Sequence, residues 1–369
     1  MKSTTTQAHR ASLDGVRALA IFGVILVHAG FPGARSGWIG VDIFFVLSGF
    51  LITTLLSMEI AATRRIDWPA FIVRRSLRLM PAYFLYAGLM TLAIWAWPGS
   101  VRSEEGGWSA TGLTVALWTY ILNFVPQGGI WNGQEALVHL WSLAVEQQYY
   151  VVWPLMLSLL IHRRHVVGGV ALVFAVGCAL MFILWPAGLY KDHMLWTRGF
   201  SLISASAVAL LAARDAEFLA RPAWGRPVDI VGAVGLLALF ALAYLPGWSE
   251  NGVRTVLLPV LVPVFAVWVA RLWYVPSAGL MRSLLQHRWL VYMGRVSYGI
   301  YLYHELLRMT VWNVSRPLMA GWPPAIGFVV RFVLFVAVSI GVAAASYELF
   351  EKRFMRLASR FRPPRAAAP

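Results

Sequence analysis

Runs of about eighteen or more apolar residues recur along the whole length of this chain. Nothing else in the sequence narrows the fold as much. A segment that crosses lipid finds no water to bond its backbone, so it must satisfy its own N–H and C=O groups, as a helix does. The expected fold is all-α: a polytopic integral membrane helix bundle rather than a soluble domain with an anchor. Composition agrees, with 59% of the 369 residues apolar and 13% charged, where an average soluble domain carries about a quarter charged residues.

Eleven apolar segments can be marked, near 14–31, 38–58, 79–97, 111–125, 139–161, 166–185, 194–213, 229–246, 253–274, 290–312 and 325–349. Lys2 and Arg10 precede the first, and "FEKRFMRLASRFRPPR" follows the last. Basic flanks stay in the cytoplasm, so both termini are expected there and the number of crossings is even. One segment then does not cross. The shortest, 111–125, follows the acidic linker "SEEGGWS". Leaving it out puts the basic connections on one side: Arg64, Arg65, Arg74, Arg75 and Arg78, then "HRRH" at 162–165, then Arg214, Arg221 and Arg226, then Arg282 and Arg288. The expectation is about ten transmembrane helices, with 111–125 a re-entrant or interfacial segment. Residues 1–12 form a cytoplasmic lead-in, 13–350 the membrane domain and 351–369 a basic cytoplasmic tail, with no soluble domain before or after the bundle.

The net charge of +15 does not indicate nucleic acid, because the cations cluster in the short connections between apolar runs. Membrane lipids are the expected partners of that basic face. Cys178, the single cysteine, cannot form a disulfide framework or a zinc site. The first apolar run reads as a retained helix, not a cleaved leader, since Asp14, Arg17 and His28 interrupt it.

Ionisable groups inside spanning helices are costly and therefore functional candidates. Arg17 and His28 are eleven positions apart, which at about 100° per residue returns both to one helix face, about 16 Å apart along the axis. Arg17 then lies towards the cytoplasm and His28 in the outer half. Each has a plainer reading, Arg17 as a snorkelling cation and His28 as a satisfied structural histidine. Asp42 opens the second helix, where a carboxylate also suits the helix dipole; Ser48 and Gly49 in its middle suggest close helix contact. Ser142 and Glu146 lie one turn apart on the fifth segment, Glu146 at about the depth of His28. Ser297, Tyr301 and His304 share a face at i, i+4 and i+7. Arg75 and Arg78 also share a face, next to Arg74, and arginine forks suit phosphate, although positive-inside charge explains them too. No histidine spacing supports a metal site, and no glycine loop for nucleotides is present.

Taken in order, "LDGVRALAIFGVILVH", "GVDIFFVLSGFLI", "RRSLRLMPAYF", "WSLAVEQQYY", "VSYGIYLYH" and "YELFEKRF" resemble the membrane-bound acyltransferase family 3, the integral O-acyltransferases of bacterial surface sugars and related acceptors. The resemblance covers nearly the whole chain. It implies transfer of an acyl group, usually acetyl, from cytoplasmic acyl-CoA to a hydroxyl, commonly on a sugar, at the bacterial cytoplasmic (inner) membrane. It implies that His28 of the Arg-x10-His pair is catalytic and that the Arg-x-x-Arg pair, Arg75 and Arg78, binds the donor. Some members carry an extra hydrolase-like domain; this chain shows none and would be the stand-alone form.

Joined to the residue reading, the expectation is specific. Arg74, Arg75 and Arg78 hold the phosphates of CoA, and its pantetheine arm passes Arg17. His28, oriented by Glu146 or Asp42, takes the acceptor proton or carries the acyl group. Ser142, Tyr301 and His304 serve as acceptor contacts or relay. No bound cofactor or metal is expected, and acyl-CoA is a substrate. The alternative from another class is a sugar or lipid transporter or flippase without acyl transfer.

Overall fold

Leu13, Val16, Ala20, Ile21 and Val24 recur at three- and four-residue spacing, and each is 1% exposed or less. Such a stripe makes a helix with one buried face, and it is the core side of α1, Lys2–His28. The computed structural model describes residues 2–34, 36–96, 109–125, 135–160, 164–185, 193–215, 217, 219, 221, 227–233, 255, 258–275 and 280–361. Among these residues every regular element is helical. After α1 come α2 (Ile39–Thr63), α3 (Trp68–Ala96), α4 (Ala110–Trp118), α5 (Glu135–Val138), α6 (Trp141–Leu160), α7 (Arg164–Leu184) and α8 (Leu195–Arg198). Then follow α9 (Phe200–Arg214), α10 (Leu258–Tyr274), α11 (Leu280–Leu285), α12 (Arg288–Leu318), α13 (Pro324–Ala345) and α14 (Lys352–Ala358), with a π turn at Ser346–Glu351.

Among the described residues, five stretches are long and apolar enough to cross a membrane: Ala11–His28, Ile39–Thr63, Trp68–Ala96, Val167–Leu184 and Pro324–Phe361. Their outer faces are strongly apolar, with Val173 73% and Leu184 76% exposed, a surface that suits lipid and not water. The chain is an all-helical integral membrane protein. The other expected crossings differ for physical reasons. α6 and α12, with 20 and 31 residues, have the length to cross, but Glu146, Gln147 and Gln148 in α6 and the Arg, His and Glu side chains of α12 lower their hydropathy. α9 and α10 have 15 and 17 residues, below the usual span. The expected segment 229–246 lies outside the described residues from 234 onward. α4 has nine residues, a rise of about 14 Å against a hydrocarbon core of about 30 Å, so it cannot cross alone. Ser109 caps its start by accepting from the Gly112 N–H at 3.1 Å. Its end turns on Tyr120 at φ 56°, with the Ile121 N–H closing on the Ala116 carbonyl at 3.0 Å.

The chain divides into two compact units. Unit 1 contains 1–66 and 148–295, unit 2 contains 67–147 and 296–369, and the boundary falls inside α6 and α12. In unit 1, α2 is apolar nearly all round and is packed by α1, α9 and α10. The close approach expected at Ser48 and Gly49 is real: a Cβ on Gly49 would stand 2.1 Å from the Leu202 carbonyl oxygen of α9. Gly294 likewise lets α12 meet the Asp14 carbonyl of α1, at 1.8 Å from an added Cβ. Gly49→Ala is therefore expected to force α2 and α9 apart at a cost of about 1–3 kcal/mol, read as a lower thermal midpoint of the detergent-purified protein.

Unit 1 also buries two arginines, Arg271 within α10 and Arg282, expected in a basic connection. Arg271 grips Asp229 with Nε and Nη2, each at 3.2 Å. Arg282 is buried and donates to the Leu272 carbonyl at 3.1 Å and to the Val275 carbonyl, closing the end of α10. Burial pulls its guanidinium below the ordinary arginine value, and the Asp229 charge opposes that.

In unit 2, buried tyrosines of α3 hold the short helices α4 and α5. Tyr83 Oη donates to the Leu117 carbonyl at 2.8 Å and Tyr86 Oη to the Ala136 carbonyl at 2.6 Å. Carbonyls near a helix end have no partner inside the helix, and these hydroxyls supply one. At the other end of α3, Arg74 donates to the Phe361 carbonyl at 2.6 Å, and α14 packs on α3.

Candidate active site

Polar side chains in this chain are supplied by helix faces and helix ends, and each unit assembles its own set. In unit 1, Arg17 Nη1 donates to Asp14 Oδ1 at 2.7 Å, one turn back on α1. Asp14 Oδ2 also lies 3.8 Å from Arg295 Nε. Arg17 is thus held by a carboxylate of its own helix.

His28 is the last residue of α1 and half-buried. Its Nδ1 lies 2.8 Å from the Val24 carbonyl. A carbonyl only accepts, so Nδ1 carries the proton and the neutral ring has its lone pair on Nε2. That is the tautomer a general base needs, set by the helix's own backbone.

Asp42 is 1% exposed. Its Oδ2 accepts from Arg198 Nη2 at 2.7 Å and its Oδ1 from Ser201 Oγ at 3.0 Å. Arg198, 4% exposed, sits where α8 gives way to α9 and stands 5.6 Å over the Phe182 ring. The helix-dipole reading placed this carboxylate at an exposed helix start; it is instead the acid of a buried ion pair. Beside it, Tyr149 Oη bonds Ser206 Oγ at 2.6 Å and Trp153 Nε1 donates to Thr53 Oγ1 at 2.7 Å, tying α6 to α9 and α2.

In unit 2, Tyr301 and His304 sit side by side on α12, as their spacing suggested, and Ser142 of α6 meets Tyr301, which no spacing announced. Ser142 Oγ and Tyr301 Oη are 2.5 Å apart, and they donate to the His139 carbonyl at 3.0 and 2.9 Å. That carbonyl is exposed to them because the helix breaks between α5 and α6. His304 is fully buried, with Nδ1 2.6 Å from the Tyr301 carbonyl. Glu146 is half-buried one turn after Ser142. Of the arginines at the start of α3, Arg75 is half-buried, Arg78 exposed, and Arg74 spends one N–H on the chain's own tail.

Five site residues were not anticipated. Arg198 and Ser201 lie more than 150 positions from Asp42, and no local pattern pairs them. His139 opens the same "HLWSLAVE" stretch as Ser142, and its Nε2 donates to the Leu302 carbonyl at 3.1 Å. Its ring meets that of His304 edge-on, with centroids 4.9 Å apart. Glu305 and Arg308 follow His304 directly, and their i, i+3 spacing is a readable ion-pair signal.

Comparison with known proteins places the sequence in a family. A family model described as an acyltransferase domain matches residues 10–347. Among relatives, the peptidoglycan O-acetyltransferase OatA of Listeria monocytogenes is 29% identical over 95% of this chain and 57% of its own length. The O-acetyltransferase OatA of Staphylococcus aureus is 30% identical over 79% of this chain and 49% of its own. The chain thus spans about half the length of these relatives. No solved structure matches it. A match from residue 10 to residue 347, carrying the Arg17–His28 helix and the Arg75–Arg78 turn in order, shows that the chain belongs to the membrane-bound acyltransferase family 3.

Proposed function

We propose that the chain is a membrane-embedded O-acyltransferase, moving an acetyl or other short acyl group from cytoplasmic acyl-CoA to a hydroxyl of a sugar-containing acceptor. One observation carries the reading: in a member of an acyltransferase family, His28 presents Nε2 as its basic nitrogen because the Val24 carbonyl holds Nδ1–H. The names of the relatives make peptidoglycan the acceptor to test first.

In the reaction, His28 Nε2 takes the acceptor hydroxyl proton as the oxygen attacks the thioester carbonyl. The C–O bond forms, the C–S bond breaks, and the CoA thiolate takes back one proton. Alternatively His28 Nε2 first accepts the acyl group and then yields it to the hydroxyl. Arg75 and Arg78, with Arg74 beside them, hold the donor's phosphates. Arg17 attends the pantetheine arm, Glu146 serves the imidazole, and Ser142, Tyr301 and His304 form a relay. The Asp42 carboxylate, engaged by Arg198 and Ser201, holds the helices around that chemistry in place. Both termini face the cytoplasm and the membrane is the bacterial inner membrane. The transporter reading gains no support, since the family and the relatives named above are acyltransferases.

The test is incubation of the purified protein in lipid nanodiscs with labelled acetyl-CoA and peptidoglycan fragments. Label in an alkali-labile ester on the sugar is the expected product. Arg75→Gln with Arg78→Gln is expected to raise the KM for acetyl-CoA by about 10²–10⁴-fold, two charge-assisted contacts being lost at about 1.5–3 kcal/mol each. Label that stays on acetyl-CoA with every hydroxyl acceptor tried would reject the reading.

A further inference from the structure

Residues 306–347 hold three arginines and no Asp or Glu. They form most of the α12–α13 hairpin, which lies in unit 2. Arg308 is neutralised from just outside the stretch, with Nε and Nη2 each 2.9 Å from Glu305 Oε2. That leaves Arg316 and Arg331 in a hairpin with no further acid of its own to pair them. Among the described residues, the buried Nε of Arg331 has no hydrogen-bond partner. A cation inside a spanning helix is costly and is retained for a partner.

Snorkelling does not account for Arg331. It continues the four-residue spacing of Phe335, Ser339 and Ala343, each 0% exposed, so it lies on the seam of α13 and not on its lipid face. The helix dipole does not account for it either, since the positive end of α13 is the near one, at Pro324. Trp312 meets Phe335 edge-on with ring centroids 5.9 Å apart, and Tyr303 Oη bonds Ser346 Oγ at 3.0 Å, so α12 and α13 run antiparallel. Arg316 stands one turn after Trp312 and Arg331 one turn before Phe335, which brings both to one layer of the hairpin. Two like charges in one layer favour an anion there. The surface around them is apolar, with Val314, Leu318, Val329 and Val333 exposed. Exposed Trp322 precedes α13 and suits the membrane–water interface. Arg331 lies two turns into α13, a rise of about 10 Å, where headgroups meet acyl chains.

We propose that the α12–α13 hairpin binds the phosphate of an anionic membrane phospholipid at Arg316 and Arg331. The guanidinium forks grip the phosphate oxygens, and the acyl chains lie along the exposed valines of α13. The site stands at the end of the hairpin away from the tail, which Arg74 holds at the Phe361 carbonyl. It is therefore separate from the arginines of α3 assigned to the donor, and it does not depend on the acyl-transfer reading.

The experiment uses the full chain in neutral detergent micelles and phosphatidylglycerol with a photoreactive acyl chain, the cross-linked peptides being mapped by mass spectrometry. Saturable cross-linking to residues 312–333 is expected in the wild type. Arg331→Gln and Arg316→Gln are each expected to raise the half-saturating lipid concentration by about 10- to 100-fold. Arg331→Lys should raise it less, since it keeps the charge and loses only the fork. The exposed Arg316 covers the case of an Arg331 variant that does not fold. Arg353→Gln with Arg356→Gln, in the tail, is expected to leave labelling of the hairpin unchanged. Labelling of the hairpin that never saturates, or that is undiminished in both glutamine variants, overturns the proposal. So does a tail variant that weakens it as much as Arg331→Gln, or inorganic phosphate that displaces the lipid at equal concentration.

Discussion

His28→Ala is expected to lower acyl transfer by about 10²–10⁴-fold, the range that a positioned general base contributes, with little change in thermal midpoint. The side chain is half-buried and its Nδ1 bonds back to its own helix at the Val24 carbonyl. Removing it therefore breaks a bond within α1. His28→Gln separates the two mechanisms proposed for it. Glutamine keeps a polar group near the Val24 carbonyl but supplies neither a base nor a nucleophile, so it should be as inactive as alanine. Rapid acid or alkali quench of the wild type during turnover, followed by mass spectrometry of the α1 peptide, reads the second question. An acetyl adduct on His28 marks the acyl-enzyme route, and its absence at saturating donor marks direct attack. Full activity in folded His28→Ala protein rejects His28 in either role.

Arg198→Ala is expected to have the largest effect on stability of any single change in unit 1. It strips the partner from a carboxylate that is 1% exposed. Leaving such a charge buried and unpaired costs about 3–5 kcal/mol, a large fraction of the 5–15 kcal/mol by which a typical protein is stable. The ion pair joins α2 to the α8–α9 junction, so its loss should loosen the close approach at Gly49 and Leu202 as well. Asp42→Asn should cost less, because the amide oxygen can still accept from Arg198 or Ser201. The double variant Asp42→Leu with Arg198→Met should recover most of the loss, since apolar groups of similar volume can replace a buried pair. Thermal midpoints and the folded yield after detergent extraction measure all three. Recovery of stability in the double variant without recovery of acyl transfer would assign Asp42 a chemical duty beyond the ion pair.

Several features were legible from residue order because they depend only on helix period. Eleven positions return Arg17 and His28 to one face. Positions 297, 301 and 304 share a face for the same reason, whereas the Ser142–Tyr301 contact joins two helices and was not legible. A glycine beside a serine in the middle of α2 signalled a close neighbour, which proved to be Leu202. The short segment after "SEEGGWS" was legible as one that does not cross, because length is a property of sequence. The crossing count was less legible. Helices such as α6 and α12 carry the very residues that lower hydropathy, so the functional groups themselves obscure the span signal.

Partners were not legible where the chain returns after a long excursion. Asp42 resembled a dipole-favoured helix start, and nothing near it announces Arg198. Arg282 resembled a loop cation, and only folding shows that it closes α10. The sequence by itself determined the all-helical membrane class, the helix faces and the order of family motifs, because apolar length and helical period are local quantities. Only the tertiary structure decided which carboxylate is spent on an ion pair, which imidazole nitrogen carries the proton and which histidine has an acid beside it. Those depend on distances of 2.6–3.7 Å between groups that the backbone must first bring together.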